Sequence, residues 1–260
     1  MEGTKEYEVM RVEGEEVFIK KDYVIIEYPF TIFLNDSEFI TLLCTPSSLE
    51  HLAIGFLHSE GLIKKREDVI KVRVDNDKGI AYVYTKNESN LSEKLYGKRT
   101  ITTGCGKGTV FYNVVDSFKS KKIKNNIKID TRQITNIIRD FNKESKLFLK
   151  TGGVHSCALS DGDNILIFEE DIGRHNALDK IIGKVFMEDV DISDKMILTS
   201  GRISSEVLIK MAKVGIPIIV SRSAPTNLTL NIAKDLNITV IGFVRGDKMN
   251  IYSNFPSLNS

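Results

Sequence analysis

The second half of the chain alternates short apolar runs with helical stretches, and that alternation leaves few folds open to it. Ile165–Phe168, Met196–Leu198, Ile216–Val220 and Ile238–Phe243 are too short for helices and almost free of polar residues. Between them, Arg174–Phe186 sets Ala177, Leu178, Ile181, Ile182 and Val185 on one side, and Ser205–Val214 and Thr226–Leu236 fit two further helices. Strands apolar on both faces, alternating with helices, predict an α/β layer around a largely parallel sheet. Ligands of such sheets bind at the carboxyl ends of the strands. The segments leaving the four runs are Glu169–His175, Thr199–Arg202, Ser221–Pro225 and Val244–Asp247, and each carries an arginine: Arg174, Arg202, Arg222 and Arg245. Guanidinium forks beside hydroxyls such as Ser221, near helix starts, suit the oxygens of a polyanion such as a nucleotide. Ordinary capping by Ser and Thr, with surface arginines, accounts for the same residues without a ligand.

The first half reads differently. Residues 23–45 read as two strands, Tyr23–Tyr28 and Phe39–Cys44, flanking Pro29–Leu34, with a turn at Asn35–Ser37, and Val69–Val74 with Ile80–Thr85 form a further hairpin. Ser47-Ser-Leu-Glu50 fits a capping box ahead of a helix bearing Leu49, Leu52, Ala53, Phe56 and Leu57 and ending at Gly61. Cys44 closes an apolar strand and is expected to be structural, whereas His51 and His58 lie off the apolar stripe and are expected to be solvated. Polar Lys86–Lys98 marks a boundary. The expected organisation is a small α+β domain over 1–98 and an α/β domain over 99–260. Lys119–Lys128 reads as a solvated linker, followed by an amphipathic helix with Ile134, Ile137, Ile138 and Phe141.

Among 260 residues, 36 basic and 35 acidic side chains leave a net charge of +1, so nothing drives the chain toward nucleic acid or a membrane surface. No apolar run is long enough to span a bilayer, the polar start Met1–Tyr7 is not a signal peptide, and three scattered cysteines make no disulfide framework. A reduced, cytoplasmic location is expected.

One cysteine stands apart. In Ile101-Thr-Thr-Gly-Cys-Gly-Lys-Gly-Thr109, Cys105 has glycine on both sides, Gly104 and Gly106, and Lys107 close by, with no apolar neighbour to bury it. Glycines free the backbone to present the sulfur, and a nearby cation favours the nucleophilic thiolate. In Thr151-Gly-Gly-Val-His-Ser-Cys157, His155 and Cys157 form a pair that Cys105 and His175 could complete as a zinc site. No Cys-x-x-Cys accompanies them, so His155 is expected to position a ligand or support the Cys105 loop, Cys157 to pack, and zinc to be absent. Asp171, Arg174, His175, Asn176 and Asp179 exceed what capping one helix requires and are expected to line a polar pocket. No Gly-x-Ser-x-Gly elbow supports a serine triad, and neither a Walker lysine loop nor a Gly-x-Gly-x-x-Gly after a strand is present.

Taken together, Gly104-Cys-Gly-Lys107, Thr151–Ala158, Glu170-Asp-Ile-Gly-Arg-His-Asn-Ala-Leu-Asp-Lys180, Thr199–Arg202, Ser221–Thr226 and Gly242–Gly246 resemble the formate dehydrogenase accessory sulfurtransferase family, FdhD/NarQ. The resemblance runs from Pro29 to Tyr252. It implies a sulfur carrier that takes sulfur from a cysteine desulfurase as a Cys105 persulfide. The sulfur then passes to the molybdenum cofactor bearing two molybdopterin guanine dinucleotides, before formate dehydrogenase receives it. It further implies a zinc-free, cytidine-deaminase-like larger domain and a homodimer. By position, Phe243, Val244, Arg245, Gly246, Asp247 and Lys248 would contribute to the guanine dinucleotide site, with guanine nucleotides as mimics. One departure stands out: many members carry Cys-Gly-x-Cys-Gly, and this chain has Gly108 in place of the second cysteine. Any transfer therefore runs through a single sulfur. The alternatives are a cofactor-binding chaperone that moves no sulfur, or a zinc hydrolase on the same scaffold.

Overall fold

The computed structural model describes residues 3–86, 122–124, 127–254 and 258–259. The Cys105 loop, with Gly104, Gly106 and Lys107, lies outside the described residues, as does the proposed boundary near residue 98.

The chain opens with a two-stranded ribbon, β1 (Thr4–Glu13) and β2 (Glu16–Ile25), which sequence reading missed apart from its last residues. Met10, Val12, Val17 and Ile19 are all at least 60% exposed, so the ribbon lacks the buried face that makes a strand legible. A four-stranded sheet follows in the order β4-β3-β6-β5, from β3 (Tyr28–Leu34), β4 (Ser37–Cys44), β5 (Val69–Asp75) and β6 (Ile80–Thr85). Asn35 and Asp36 take positive φ (47° and 64°), as a two-residue hairpin turn between β3 and β4 requires. Helix α1 (Leu49–Ser59) lies on one face, and Leu52, Ile54 and Leu57 meet Phe30, Ile32 and Val83 in a closed core.

A second body is built on a six-stranded sheet ordered β13-β12-β11-β10-β8-β9. Its strands are β8 (His155–Ser160), β9 (Ile165–Asp171), β10 (Met196–Thr199), β11 (Ile218–Ser221), β12 (Thr239–Arg245) and β13 (Lys248–Ile251). A short pair, β7 (Ile129–Asp130) and β14 (Leu258–Asn259), stands apart. Helices α4 (Arg174–Glu188), α5 (Ser205–Val214) and α6 (Asn227–Leu236) cover one face, and α2 (Thr131–Glu144) covers the other; short α3 (Lys146–Thr151) follows α2. Successive residues of β10 point to opposite faces: Met196 and Leu198 toward α2, Ile197 toward the helices beyond. That two-sided burial is why these strands are apolar throughout. Each Ile or Leu so removed from water contributes about 1.5–3 kcal/mol before chain entropy is counted. The sheet is mixed, not largely parallel: β10–β11 and β11–β12 are parallel, while β8–β9, β8–β10 and β12–β13 are antiparallel.

The two bodies meet where α1 crosses α4 in near backbone contact. A Cβ on Gly55 would sit 1.8 Å from the Asp179 carbonyl oxygen, and one on Gly183 would sit 1.9 Å from that of His51. Neither position has room for a side chain. Around this crossing lies a buried polar network that corrects three sequence expectations. Asp171 is fully buried and accepts from Thr45 N and Oγ1 (3.0 Å each), Gly173 N and Asn176 Nδ2 (2.9 Å each). Lys180 Nζ, also fully buried, reaches Asp171 Oδ2 at 2.7 Å and donates to Thr45 Oγ1 at 2.6 Å and Ser47 Oγ at 3.2 Å. Asp179 accepts from Ser59 Oγ at 2.8 Å and Lys210 Nζ at 2.5 Å; burial pushes its carboxyl up, against the pull of Lys210. Asp171, Asn176 and Asp179 therefore join the two bodies, their polar atoms turned to partners within the seam.

The same network dismantles the expected capping box. Ser47 Oγ serves Lys180, while Ser48, the residue before α1, takes φ 51° and donates to Glu169 Oε1 at 2.7 Å. Nor are the histidines solvated. His58 Nδ1 donates to Ile63 O at 2.8 Å, its ring lies 4.5 Å from Phe186, and burial lowers its pKa; His51 Nδ1 is buried without a partner among the described residues.

Candidate functional site

Strand direction assembles the site. β9 runs antiparallel to β8, which runs antiparallel to β10, so β9, β10, β11 and β12 all point one way. Their carboxyl ends, and the start of β8, share one edge of the sheet. The loops there hold one another. Ile203 and Pro225 form a parallel bridge, Ile203 N donates to Ala224 O at 3.0 Å, and Phe243 N donates to Ser223 O at 3.1 Å. Ser221, fully buried, donates from Oγ to Gly201 O at 2.7 Å and accepts from Ser223 N at 2.9 Å, so it joins two loops and presents no free hydroxyl. Ser204 and Thr226 cap α5 and α6 by accepting from Val207 N and Thr229 N. Those two hydroxyls do ordinary helix capping.

At the centre of the edge, His155, Arg174 and Gly201 converge. A Cβ on Gly201 would meet Arg174 Cβ at 3.2 Å, Arg174 Cδ at 3.3 Å and His155 Nδ1 at 3.5 Å, so the absent side chain lets Arg174 and His155 pack closely against the loop. His155 Nδ1 lies 3.4 Å from Ser200 Oγ; burial, with Arg174 and Arg202, lowers its pKa and keeps the ring neutral. His175 is pushed down to about 3 by burial, reinforced by Lys210, Arg174 and His155. Its Nε2 lies 3.3 Å from both Ser204 Oγ and Glu206 Oε2, yet Glu206 is 44% exposed and too well hydrated to hold a second proton on so buried a ring. Two neutral imidazoles thus flank the cations.

Arg174 Nε is buried without a hydrogen-bond partner among the described residues. Buried donors are rarely left unpaired, and a guanidinium carries five of them in a fixed fork. Arg202 is exposed beside it. Arg222 is also exposed, but it turns away to donate to Asn142 Oδ1 on α2 at 2.9 Å. Phe243 takes φ 54°, a left-handed backbone that costs a non-glycine residue on the order of 1 kcal/mol, and leaves its ring 40% exposed. Beyond it Arg245, Gly246, Asp247 and Lys248 form the exposed turn of the β12–β13 hairpin, whereas Val244 is 1% exposed and packs under α2, leaving only its backbone for a ligand.

The Glu170 carboxylate accepts from Leu147 N and Phe148 N at 2.9 Å each and caps α3. Among the described residues, no three His, Cys, Asp or Glu side chains gather into a metal site, and no helix is long and apolar enough to cross a membrane. The two described cysteines are both buried. Burial pushes the Cys44 thiol up to about 12 and the Cys157 thiol higher still.

The FdhD/NarQ family model matches residues 25–258. The sulfur carrier protein FdhD of Bacillus subtilis is 44% identical over 246 residues, covering 95% of this chain and 94% of that protein. Its namesake from Staphylococcus aureus strain MRSA252 is 42% identical over 245 residues, covering 94% and 92%. The crystal structure of a formate dehydrogenase accessory protein from Desulfotalea psychrophila superimposes with a TM-score of 0.79 at 25% identity, covering 98% of this chain and 99% of that one.

Proposed function

The chain belongs to the FdhD/NarQ family, and on that premise we propose that it carries sulfur on Cys105 for the maturation of a formate dehydrogenase. The observation behind this reading is one of elimination. The sequence holds three cysteines, and Cys44 and Cys157 are buried thiols whose ionisation is suppressed. Thiolate chemistry is thereby left to Cys105, set among glycines beside Lys107.

In the proposed step, the Cys105 thiolate attacks the outer sulfur of a cysteine desulfurase persulfide. The donor's S–S bond breaks, the donor cysteine leaves as its thiolate, and a Cys105 persulfide forms. The cargo that receives this sulfur is the molybdenum bis(molybdopterin guanine dinucleotide) cofactor. Arg174 Nε, unpaired among the described residues, and exposed Arg202 and Arg245 offer contacts for its phosphates. Neutral His155 and His175 contribute hydrogen bonds there without adding charge. The same reading makes the six-stranded body a zinc-free, deaminase-like scaffold, the small body a separate domain, and the working form a cytoplasmic homodimer.

Intact-protein mass spectrometry after incubation with a cysteine desulfurase and cysteine tests the carrier role. Wild type, Cys44→Ser and Cys157→Ser are expected to gain one sulfur that reductant removes, and Cys105→Ala is expected to gain none. Gly108, where many relatives have a second cysteine, gives a second reading its footing: a chaperone that binds the cofactor and moves no sulfur. Wild type that binds guanine nucleotide but gains no sulfur would establish that reading instead.

A further inference from the structure

The four-stranded sheet has an outer face that none of the described helices covers, opposite the one on which α1 packs. Register places cations and aromatic rings side by side on it. Lys71 pairs across the strands with Tyr84, and Arg73 pairs with Tyr82. Tyr82 in turn lies beside Phe33 on β3, with ring centroids 5.1 Å apart. The intervening residues Val72, Val74, Ala81 and Val83 point into the α1 core, so the outward set stands on a rigid, fully packed strand pair.

The rings are held in place. Tyr84 Oη donates to Asp36 Oδ1 at 2.7 Å, and Tyr82 is braced by Phe33. Two of the cations are unpaired among the described residues: neither Lys71 nor Arg73 lies within ion-pair distance of a carboxylate, while Lys78 pairs loosely with Asp75 at 3.9 Å, 74% of its side chain exposed. Together they border a concavity of about 220 Å³. Small-molecule sites run to about 300–1,000 Å³ and enclose most of their ligand, which this shallow face does not. Tyrosine and arginine on a pre-ordered surface are instead the composition of a protein-binding hot spot. Within the concavity Lys71, Arg73 and Lys78 meet one carboxylate, Asp75, which favours an acidic partner there; the further carboxylates, Asp36 on Tyr84 and Glu38 opposite Phe33, lie toward the β3–β4 turn.

We propose that this outer face docks an acidic segment of a partner protein, whose carboxylates meet Lys71, Arg73 and Lys78 while its apolar groups rest on Tyr82 and Tyr84. The inference holds whether or not Cys105 carries sulfur.

The test is fluorescence anisotropy of the full chain with a fluorescein-labelled peptide of alternating glutamate and tyrosine. Wild type is expected to bind it in a salt-sensitive way. The double variant Lys71→Glu/Arg73→Glu and the single Tyr82→Ala should each weaken binding about tenfold. The charge-matched Lys122→Glu/Lys124→Glu, on exposed lysines elsewhere, should change it less than about twofold. Arg73→Gln, which leaves every packed residue in place, guards against misfolding of the Tyr82 variant and should also weaken binding. Three results overturn the proposal: no peptide binding, equal loss in the charge-matched control, or displacement of the peptide by inorganic phosphate or oligouridine at comparable concentration. Persulfide loading at saturating desulfurase, read in the same variants, should be unchanged; failure of wild type to load would sink the sulfur reading and leave the docking result standing.

Discussion

The seam between α1 and α4 and the edge above the six-stranded sheet draw on the same kinds of side chain, yet they treat them in opposite ways. At the seam every charge is buried and answered: Asp171 by Lys180 and four further donors, Asp179 by Lys210 and Ser59. At the edge the charges are half-buried or exposed, and one donor, Arg174 Nε, has no partner among the described residues. Asp171 and Arg174 are three residues apart. Polar density along the chain therefore does not distinguish a structural joint from a binding surface; whether the hydrogen-bonding capacity is already filled does.

That contrast is sharpest in a pair of single changes. Lys180→Met leaves Asp171 buried without its cation and is expected to cost about 3–5 kcal/mol, whereas Arg174→Ala should cost under about 1 kcal/mol. Guanine nucleotide affinity should respond the other way round, falling about tenfold in Arg174→Ala. Urea unfolding and nucleotide titration of both variants check this. Equal stability losses would break the distinction between seam and edge.

Gly183→Ala is the next largest. Its Cβ would land 1.9 Å from the His51 carbonyl oxygen, a backbone atom with no freedom to yield, so overpacking should cost about 1–3 kcal/mol or more and lower the melting temperature. Full stability in that variant would show that the helices do not cross so closely.

His175 brings the edge into the stability ledger through pH. Its native pKa, about 3, lies below the ordinary 6.5, so the unfolded chain binds the proton more readily. Stability is fully present above pH 6.5 and is lost as pH falls toward 3, by at most ~1.4 kcal/mol per unit. His175→Gln should flatten this dependence, measured as the difference in urea midpoint between pH 7 and pH 5. The smallest effect belongs to Arg222→Ala. Exposed and turned to Asn142, it should alter stability by less than about 0.5 kcal/mol and nucleotide affinity less than Arg174→Ala does.

The parts of the molecule legible in sequence are those with a periodic signal. Helix α5 spans Ser205–Val214 as its spacing predicts, and Ile134, Ile137, Ile138 and Phe141 are buried together on α2. The common edge was also readable, because four apolar strands linked by helices must send their ends one way. The β1–β2 ribbon was not readable, since it has no buried face to impose alternation. Ser47 and Ser48 misled for another reason: a hydroxyl before a helix looks the same whether it caps that helix or serves Lys180 and Glu169 from a distant part of the chain. His58 followed the same logic, its neighbour Phe186 lying far along the sequence. Local pattern carries no record of such partners.

The buried bond between Thr45 and Lys180 spans 135 residues of chain. During synthesis the four-stranded sheet and α1 emerge long before the residues that complete the seam. The Thr45 and Ser59 hydroxyls must therefore stay hydrated until α4 arrives. Contacts closing so long a loop form late and slowly. Arg174, at the first turn of that helix, can take its place only once they do, so the edge becomes competent to bind as one of the last events of folding.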